Sequence, residues 1–272
     1  MAGTARKRIW GDLTTEEFAR VDPERTIAVL PVAAIEQHGP HLPVATDTLI
    51  AEGMIAETLR QLPDDITALF LPVQSIGKSN EHIRSPGTLT LDATTAIKAW
   101  TEIGESVRRA GVRKLVFVNA HGGNVDMLPI IARDLRVRLD MLVVCCSWMR
   151  LGYPPGVFTD GEIAHGLHGG DIETSLMLHF RPDLVRREAI ANFVPASLEM
   201  AREFDVLGAS GPAAFAWLAQ DLHASGATGD ATRATAEKGR LCAAYQAQRF
   251  VALLSDVSRF ALSRLAPLAP PR

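Results

Sequence analysis

Strand-length apolar runs alternate along this chain with stretches in which apolar residues recur every three or four positions. Thr26 to Ile35 (TIAVLPVAAI) reads as a buried strand interrupted by Pro31, and Asp47 to Leu62 carries helical periodicity. Thr67 to Val73 is a short strand, and Leu91 to Ala110 is a helix that stops at Gly111. Lys114 to Asn119 (KLVFVN) is the cleanest strand, followed by a helix over Asn124 to Leu139 and a strand over Met141 to Cys146. Near-continuous apolar strands separated by helices predict an α/β fold whose mainly parallel sheet is covered by helices. Further on, Glu173 to Phe180 is helical and ends before Pro182, and Ala213 to His223 carries a weaker helical pattern. Ala231 to Arg264 forms a long closing helix with a break near Ser255, and Ala266 to Arg272, with three prolines, reads as a loose tail.

Composition narrows the class of partner. No linker composition divides the 272 residues, so a single domain over 1–272 is expected. A formal net charge of −3 without a basic stripe argues against nucleic acid, since phosphate binding needs clustered Lys and Arg. No apolar segment follows the basic residues of Met1 to Trp10, and no apolar run is long enough to span a bilayer. Neither a secretory signal nor a membrane partner is therefore expected. Cys145, Cys146 and Cys242 suit buried thiols better than a disulfide framework, which makes the cytoplasm the simplest address.

Candidate chemistry gathers where strands end, which is where open α/β sheets bind ligands. The first strand runs into Glu36-Gln37-His38-Gly39-Pro40-His41, and Glu36 and His38, two apart, share one side of an extended backbone. Asp47 follows at the start of a helical pattern, where it is either a further ligand or a plain helix cap. His41 reads as a supporting or surface group. The cleanest strand runs into His121-Gly122-Gly123-Asn124, which reads either as a ligand beside a close backbone approach or as a turn with a capping Asn124. A third cluster, His168-Gly169-Gly170-Asp171-Ile172-Glu173, places two acids before an apolar helix, where the helix dipole alone would favour them. Glu81 and His82 lie in a Gly/Ser/Pro-rich loop and either line the pocket or form a solvated pair. Mixed His and carboxylate donors suit two divalent ions of Zn, Mn or Fe type, the arrangement of two-metal hydrolases.

Rival motifs fail. The chain has no GxSxG elbow, HExxH, CxxC or GxGxxG after the first strand, and Pro72 stands where a phosphate loop ending in Gly77-Lys78-Ser79 needs its first glycine. The segments IEQHGPHLPVATD (Ile35 to Asp47), NEHIRSPGTLTL (Asn80 to Leu91), VNAHGGN (Val118 to Asn124), HGGDIETSL (His168 to Leu176) and ATAEKG (Ala234 to Gly239) together resemble the creatininase family, from about Leu13 to Phe250. The resemblance implies a three-layer α/β/α fold, a two-metal site and a homo-oligomer, often a hexamer. It implies metal ligands at Glu36, His38, Asp47 and His121, with Asp47 bridging, and a proton-transferring His168. Trp148 matches a tryptophan that covers the substrate. The family's further Glu ligand falls at Gly123, so Glu173 is expected to complete the site. Ala164 and His165 stand where creatininase proper has an acid and a second tryptophan, so the reaction class carries over more readily than creatinine itself.

These observations predict a metal-dependent amidohydrolase that cleaves a C–N bond of a small cyclic amide or formamide through a hydroxide bridging the metals. Two other readings use the same cradle: a catalytically inactive metal- or ligand-binding protein, and a hydrolase of a C–C bond in a cyclic ketone.

Overall fold

Seven consecutive buried residues form the first strand, β1 (Thr26–Val32), of a computed structural model that describes residues 7–267. β1 is followed by helix α1 (Thr46–Gln61), β2 (Thr67–Phe70), α2 (Ala93–Arg109), β3 (Lys114–Asn119), α3 (Met127–Leu139), β4 (Leu142–Ser147), α4 (Asp171–Phe180) and α5 (Ala236–Arg259). The four strands are parallel in the order β2-β1-β3-β4. The chain moves outward from β1 to β2, then returns past β1 to β3, so the order reverses between β1 and β3. A crevice opens at the carboxyl ends of strands at such a point.

Alternation along the strands sorts the core into two layers. Ile27, Val29, Val116 and Val118 face α1, α4 and α5, where they meet Met54, Met177 and Phe250. Ala28, Leu30, Leu115 and Phe117 face α2 and α3, against Trp100, Ile131 and Leu135. The result is the expected α/β/α sandwich. Each large side chain in these layers is worth ~2–5 kcal/mol against truncation to Ala. Pro31 survives in a central strand because its carbonyl accepts from Gln74 N–H at 2.9 Å. Its nitrogen therefore faces the β2 side, where β2 has already ended at Phe70.

Several sequence expectations need correction. β1 ends at Val32 and β2 at Phe70, short of Ile35 and Val73. Ala213 to His223 is not a helix but a two-residue strand (Ala213–Ala214) and one helical turn (Ala219–Leu222). The closing helix starts at Ala236, where the Thr235 hydroxyl caps it by accepting from Lys238 N–H, and it runs unbroken past Ser255 to Arg259. Of the expected tail, residues 268–272 lie outside the described residues. Among the described residues no helix is long and apolar enough to cross a membrane.

Candidate metal centre

Backbone anchors bring three distant segments to the switch crevice. Asn124 Nδ2 donates to Ala33 O at 3.1 Å, and its Oδ1 accepts from Lys78 N–H at 3.0 Å. One side chain thus joins the exit of β1, the exit of β3 and the loop after β2. The capping expectation for Asn124 understates this role. Gln37, which sequence reasoning passed over, ties the rim together. Its Nε2 donates to Gly226 O at 2.9 Å and to His82 Nδ1 at 2.7 Å, while its Oε1 accepts from Gly39 N–H at 2.8 Å. Gly39 adopts φ +71°, and a Cβ there would lie 2.7 Å from the Ala227 Cβ, so the turn after Glu36-Gln37-His38 requires glycine. Only its place between Glu36 and His38 could have singled Gln37 out from sequence.

The convergence is tight. His38 Nδ1–H donates to Glu36 O at 3.0 Å, which turns Nε2 toward Asp47 Oδ1 at 3.1 Å and Glu173 Oε2 at 3.7 Å. His121 Nε2–H donates to Lys78 O at 2.8 Å, which turns Nδ1 toward Glu36 Oε1 and Asp47 Oδ2, each at 3.2 Å. In both imidazoles a backbone carbonyl orients the ring so that the other nitrogen faces carboxylates, the usual arrangement around metal-ligating histidines. Asp47 presents one oxygen to each histidine. It is not a helix cap: α1 begins at Thr46 without any side-chain capping bond. His168 Nε2–H donates to Gln37 O, its Nδ1 faces Glu36 Oε1 at 3.6 Å, and its ring lies between those of His38 and His82, 4.0 and 4.2 Å away.

The two acids of the third cluster part company. Residues two apart on a helix point about 200° apart. Asp171 accepts from Lys238 Nζ at 2.5 Å and from Ser175 Oγ at 3.0 Å, away from the cluster. Glu173 accepts from Gly169 N–H at 2.6 Å and faces His38. His41 is buried elsewhere, on Thr174 and the Phe193 ring.

A cavity of about 370 Å³ opens over the cluster. Glu36, Asp47, Glu81, His82, His121, His168 and Glu173 line its floor, and Met149, Leu167, Phe215 and Trp217 its mouth. Trp148 does not line it; this side chain is buried against Phe250 with rings 4.9 Å apart, and the tryptophan at the cavity is Trp217. The only hint of that in the sequence is an aromatic pair, Phe215 and Trp217, in a stretch otherwise rich in Ala and Gly.

Charge decides what the site wants. Glu36 and Asp47 are 1% exposed, and Glu36 Oε2 and Asp47 Oδ2 have no hydrogen-bond partner. Two carboxylates 4 Å apart repel by about 4 kcal/mol in partly screened surroundings, more than the ~1 kcal/mol a hydrogen bond returns. The histidines respond as cations would. Burial pulls the His38 imidazole down, but Asp47, Glu173 and Glu36 outweigh it and bring it to about 10. Burial likewise opposes His121, and Glu36, Asp47 and Glu81 push it well above its ordinary value. Burial pushes the Glu36 and Glu173 carboxyls up. At Asp47, His38 and His121 overcome burial and hold the carboxyl well below the usual range. His168 goes the other way: burial and the nearby His38 charge bring it down to about 4. Glu36, His38 and His168, Glu36, Glu81 and His121, and His38, Asp47 and Glu173 each form a group whose ligand atoms lie within 4.8 Å of one another. Buried, orphaned carboxylate oxygens beside oriented imidazoles fit divalent cations.

The chain is similar to known proteins over most of its length. A family model described as creatinine amidohydrolase matches residues 11–254. The chain is 33% identical over 217 residues to a mycofactocin precursor peptide peptidase of Mycolicibacterium smegmatis, covering 78% of each chain. It is 32% identical over 248 residues to a creatinine amidohydrolase of Pseudomonas putida, covering 85% of this chain and 90% of that one. Solved creatininases described as a manganese form and as a mutant zinc–zinc form superpose with a TM-score of 0.74 at 27% identity, over 94% of this chain and 100% of theirs.

Proposed function

The chain belongs to the creatininase family of creatinine amidohydrolase-like hydrolases, and from that premise we propose that it uses divalent metal ions to cleave the C–N bond of a small cyclic amide or formamide. The observation that carries this reading is Asp47, buried, with Oδ1 facing His38 and Oδ2 facing His121. A carboxylate that serves two ions would present one oxygen to each side in this way. His38, Asp47 and Glu173 would hold one ion, and Glu36, Asp47 and His121 the other. When bound, such ions supply a Lewis acid for the scissile carbonyl and lower the pKa of a water to near neutrality.

The chain's own residues account for the rest of the chemistry. The backbone carbonyls of Glu36 and Lys78 accept from His38 Nδ1–H and His121 Nε2–H, so that the other ring nitrogen of each faces the cluster. His168 has its Nε2 committed to Gln37 O, so Nδ1 is the nitrogen free to accept a proton and pass it to the leaving nitrogen. Its environment keeps the ring neutral near pH 7. The apolar mouth of Met149, Leu167, Phe215 and Trp217 excludes water around a bound ring. A cavity of about 370 Å³ suits a small molecule.

A second reading, cleavage of a peptide bond, draws support from that same apolar mouth, which would also take a terminal side chain, and from the activity named for the mycobacterial relative. The test is turnover of lactams, cyclic ureas, formamides and short peptides by the metal-loaded protein, with and without chelator, read by amine release and mass spectrometry. Ring or formamide opening supports the first reading; a shortened peptide supports the second. Metal-free protein, or turnover indifferent to chelators, overturns both. A homo-oligomer belongs to the same proposal, and light scattering giving the mass of a single chain would remove it.

A further inference from the structure

Residue 123 is glycine, and the space its side chain would fill is taken. A Cβ there would lie 2.1 Å from the Lys78 carbonyl oxygen, 2.6 Å from Glu81 Oε1 and 2.6 Å from His121 Nε2. Its φ is not in the left-handed region, so space rather than backbone conformation demands glycine. The acid that takes this space comes from the loop after β2, more than forty residues away in sequence. That loop is pinned on both sides of Glu81. Lys78 N–H donates to Asn124 Oδ1 at 3.0 Å and Ser79 N–H to Thr90 Oγ1 at 2.8 Å, while His82 is buried on Gln37. Glu81 therefore arrives at the cluster with little freedom to swing away. Its Oε1 lies 3.4 Å from His121 Nε2, the nitrogen that also donates to Lys78 O, and one ligand atom from each of Glu36, Glu81 and His121 lies within 4.8 Å of the others.

We propose that Glu81 is a metal ligand, completing the Glu36–His121 position with a carboxylate delivered by the loop into the space that a side chain at residue 123 would otherwise fill. This inference rests on the metal-dependent reading above. It differs from the sequence expectation, which had Glu81 either lining the pocket or solvated and left Glu173 to make good the glycine. Glu173 serves the His38 side of the cluster instead, 3.7 Å from His38 Nε2. Four carboxylates, from Glu36, Asp47, Glu81 and Glu173, then balance the charge of two divalent ions.

The experiment compares ions per chain and dissociation constants, by elemental analysis and competition with a chelator, in the full-length protein and in its Glu81→Gln, Glu81→Asp and Glu173→Gln variants. Cobalt(II) absorption reports the coordination of each ion. Expected is two ions in the parent. Glu81→Gln should retain one and bind the second more than ~100-fold more weakly, beyond the ~10–100-fold typical of residues that only orient a ligand. Glu173→Gln should lose the other ion, with a cobalt spectrum distinct from that of Glu81→Gln. Two ions in Glu81→Gln at affinities within ~100-fold of the parent overturn the proposal, because the glutamine oxygen can still accept from His121 Nε2–H but carries no charge. If Glu81→Gln does not accumulate folded, Glu81→Asp decides: weakened binding of one ion supports the proposal, and unchanged binding of both overturns it. A parent protein that binds no metal defeats the hydrolase reading itself, a different result from a parent that binds two and a variant that also binds two.

Discussion

Asp171 and Glu173, two residues apart in the first turn of α4, face different partners: Asp171 meets Lys238 Nζ at 2.5 Å, and Glu173 approaches His38 Nε2 at 3.7 Å. The divergence gives one acid a structural task and the other a place among the candidate metal ligands. It also ties the segments HGGDIETS and ATAEKG together in space. Lys238 answers Asp171, Ser175 Oγ accepts from Thr235 N–H at 3.2 Å, and a Cβ at Gly239 would lie 1.9 Å from Ser175 O, so α4 and α5 pack only with glycine at the contact.

The pair can be separated by substitution. Asp171→Asn is expected to keep both ions while lowering stability by about 2 kcal/mol, less than the ~3–5 kcal/mol of a fully buried broken pair because the Lys238 side chain is 23% exposed. Glu173→Gln is expected to lose an ion. Denaturant midpoints alongside elemental analysis check both, and loss of metal in Asp171→Asn would contradict the assignment.

Asp47→Asn and His168→Ala should differ in kind. Asp47 faces both ion positions, so its loss should empty the site and reduce kcat/KM by ~1000-fold or more. His168→Ala should keep the metal and reduce kcat by ~100–10,000-fold, the range of a lost proton-transfer group. Equal metal content in the two variants, with Asp47→Asn still active, would count against the bridging role.

Removing metal should destabilise as well as inactivate. Ions present at 100 to 1,000 times their dissociation constant contribute about 3–4 kcal/mol of stability. Thermal unfolding should shift down on chelation and recover on adding Zn or Mn. A midpoint indifferent to chelator would mean that the buried carboxylates are neutralised by protons alone.

Acid should weaken the fold through His41. Burial, chiefly, brings its imidazole down to about 4, so the folded state holds it neutral. Its contribution is fully present above the ordinary value of about 6.5 and is lost as pH falls from there through about 4, where the unfolded chain binds a proton that the folded one refuses. Between pH 7 and 4 the parent should lose more stability than His41→Gln by ~1–2 kcal/mol, allowing for solvent screening. Parallel pH curves for the two would dismiss this origin.

By itself the sequence determined the parallel sheet and its two covered faces, because an apolar run such as KLVFVN has nowhere to go but between layers. It also determined the rim positions of Glu36, His38 and His121, because each follows such a run directly. The motifs around them were enough to imply the family. Tertiary structure alone decided which acid faces His38, since the answer for Asp171 comes from Lys238, 67 residues on. It decided that Gln37 braces the rim through Gly226, 189 residues away, and that Trp217 rather than Trp148 reaches the cavity. It also put Glu81 against Gly123. Periodicity along a chain reports which side of an element is apolar, whereas the aim of a buried polar side chain depends on the partner that satisfies it, and those partners come from segments that only the completed fold brings within hydrogen-bond reach.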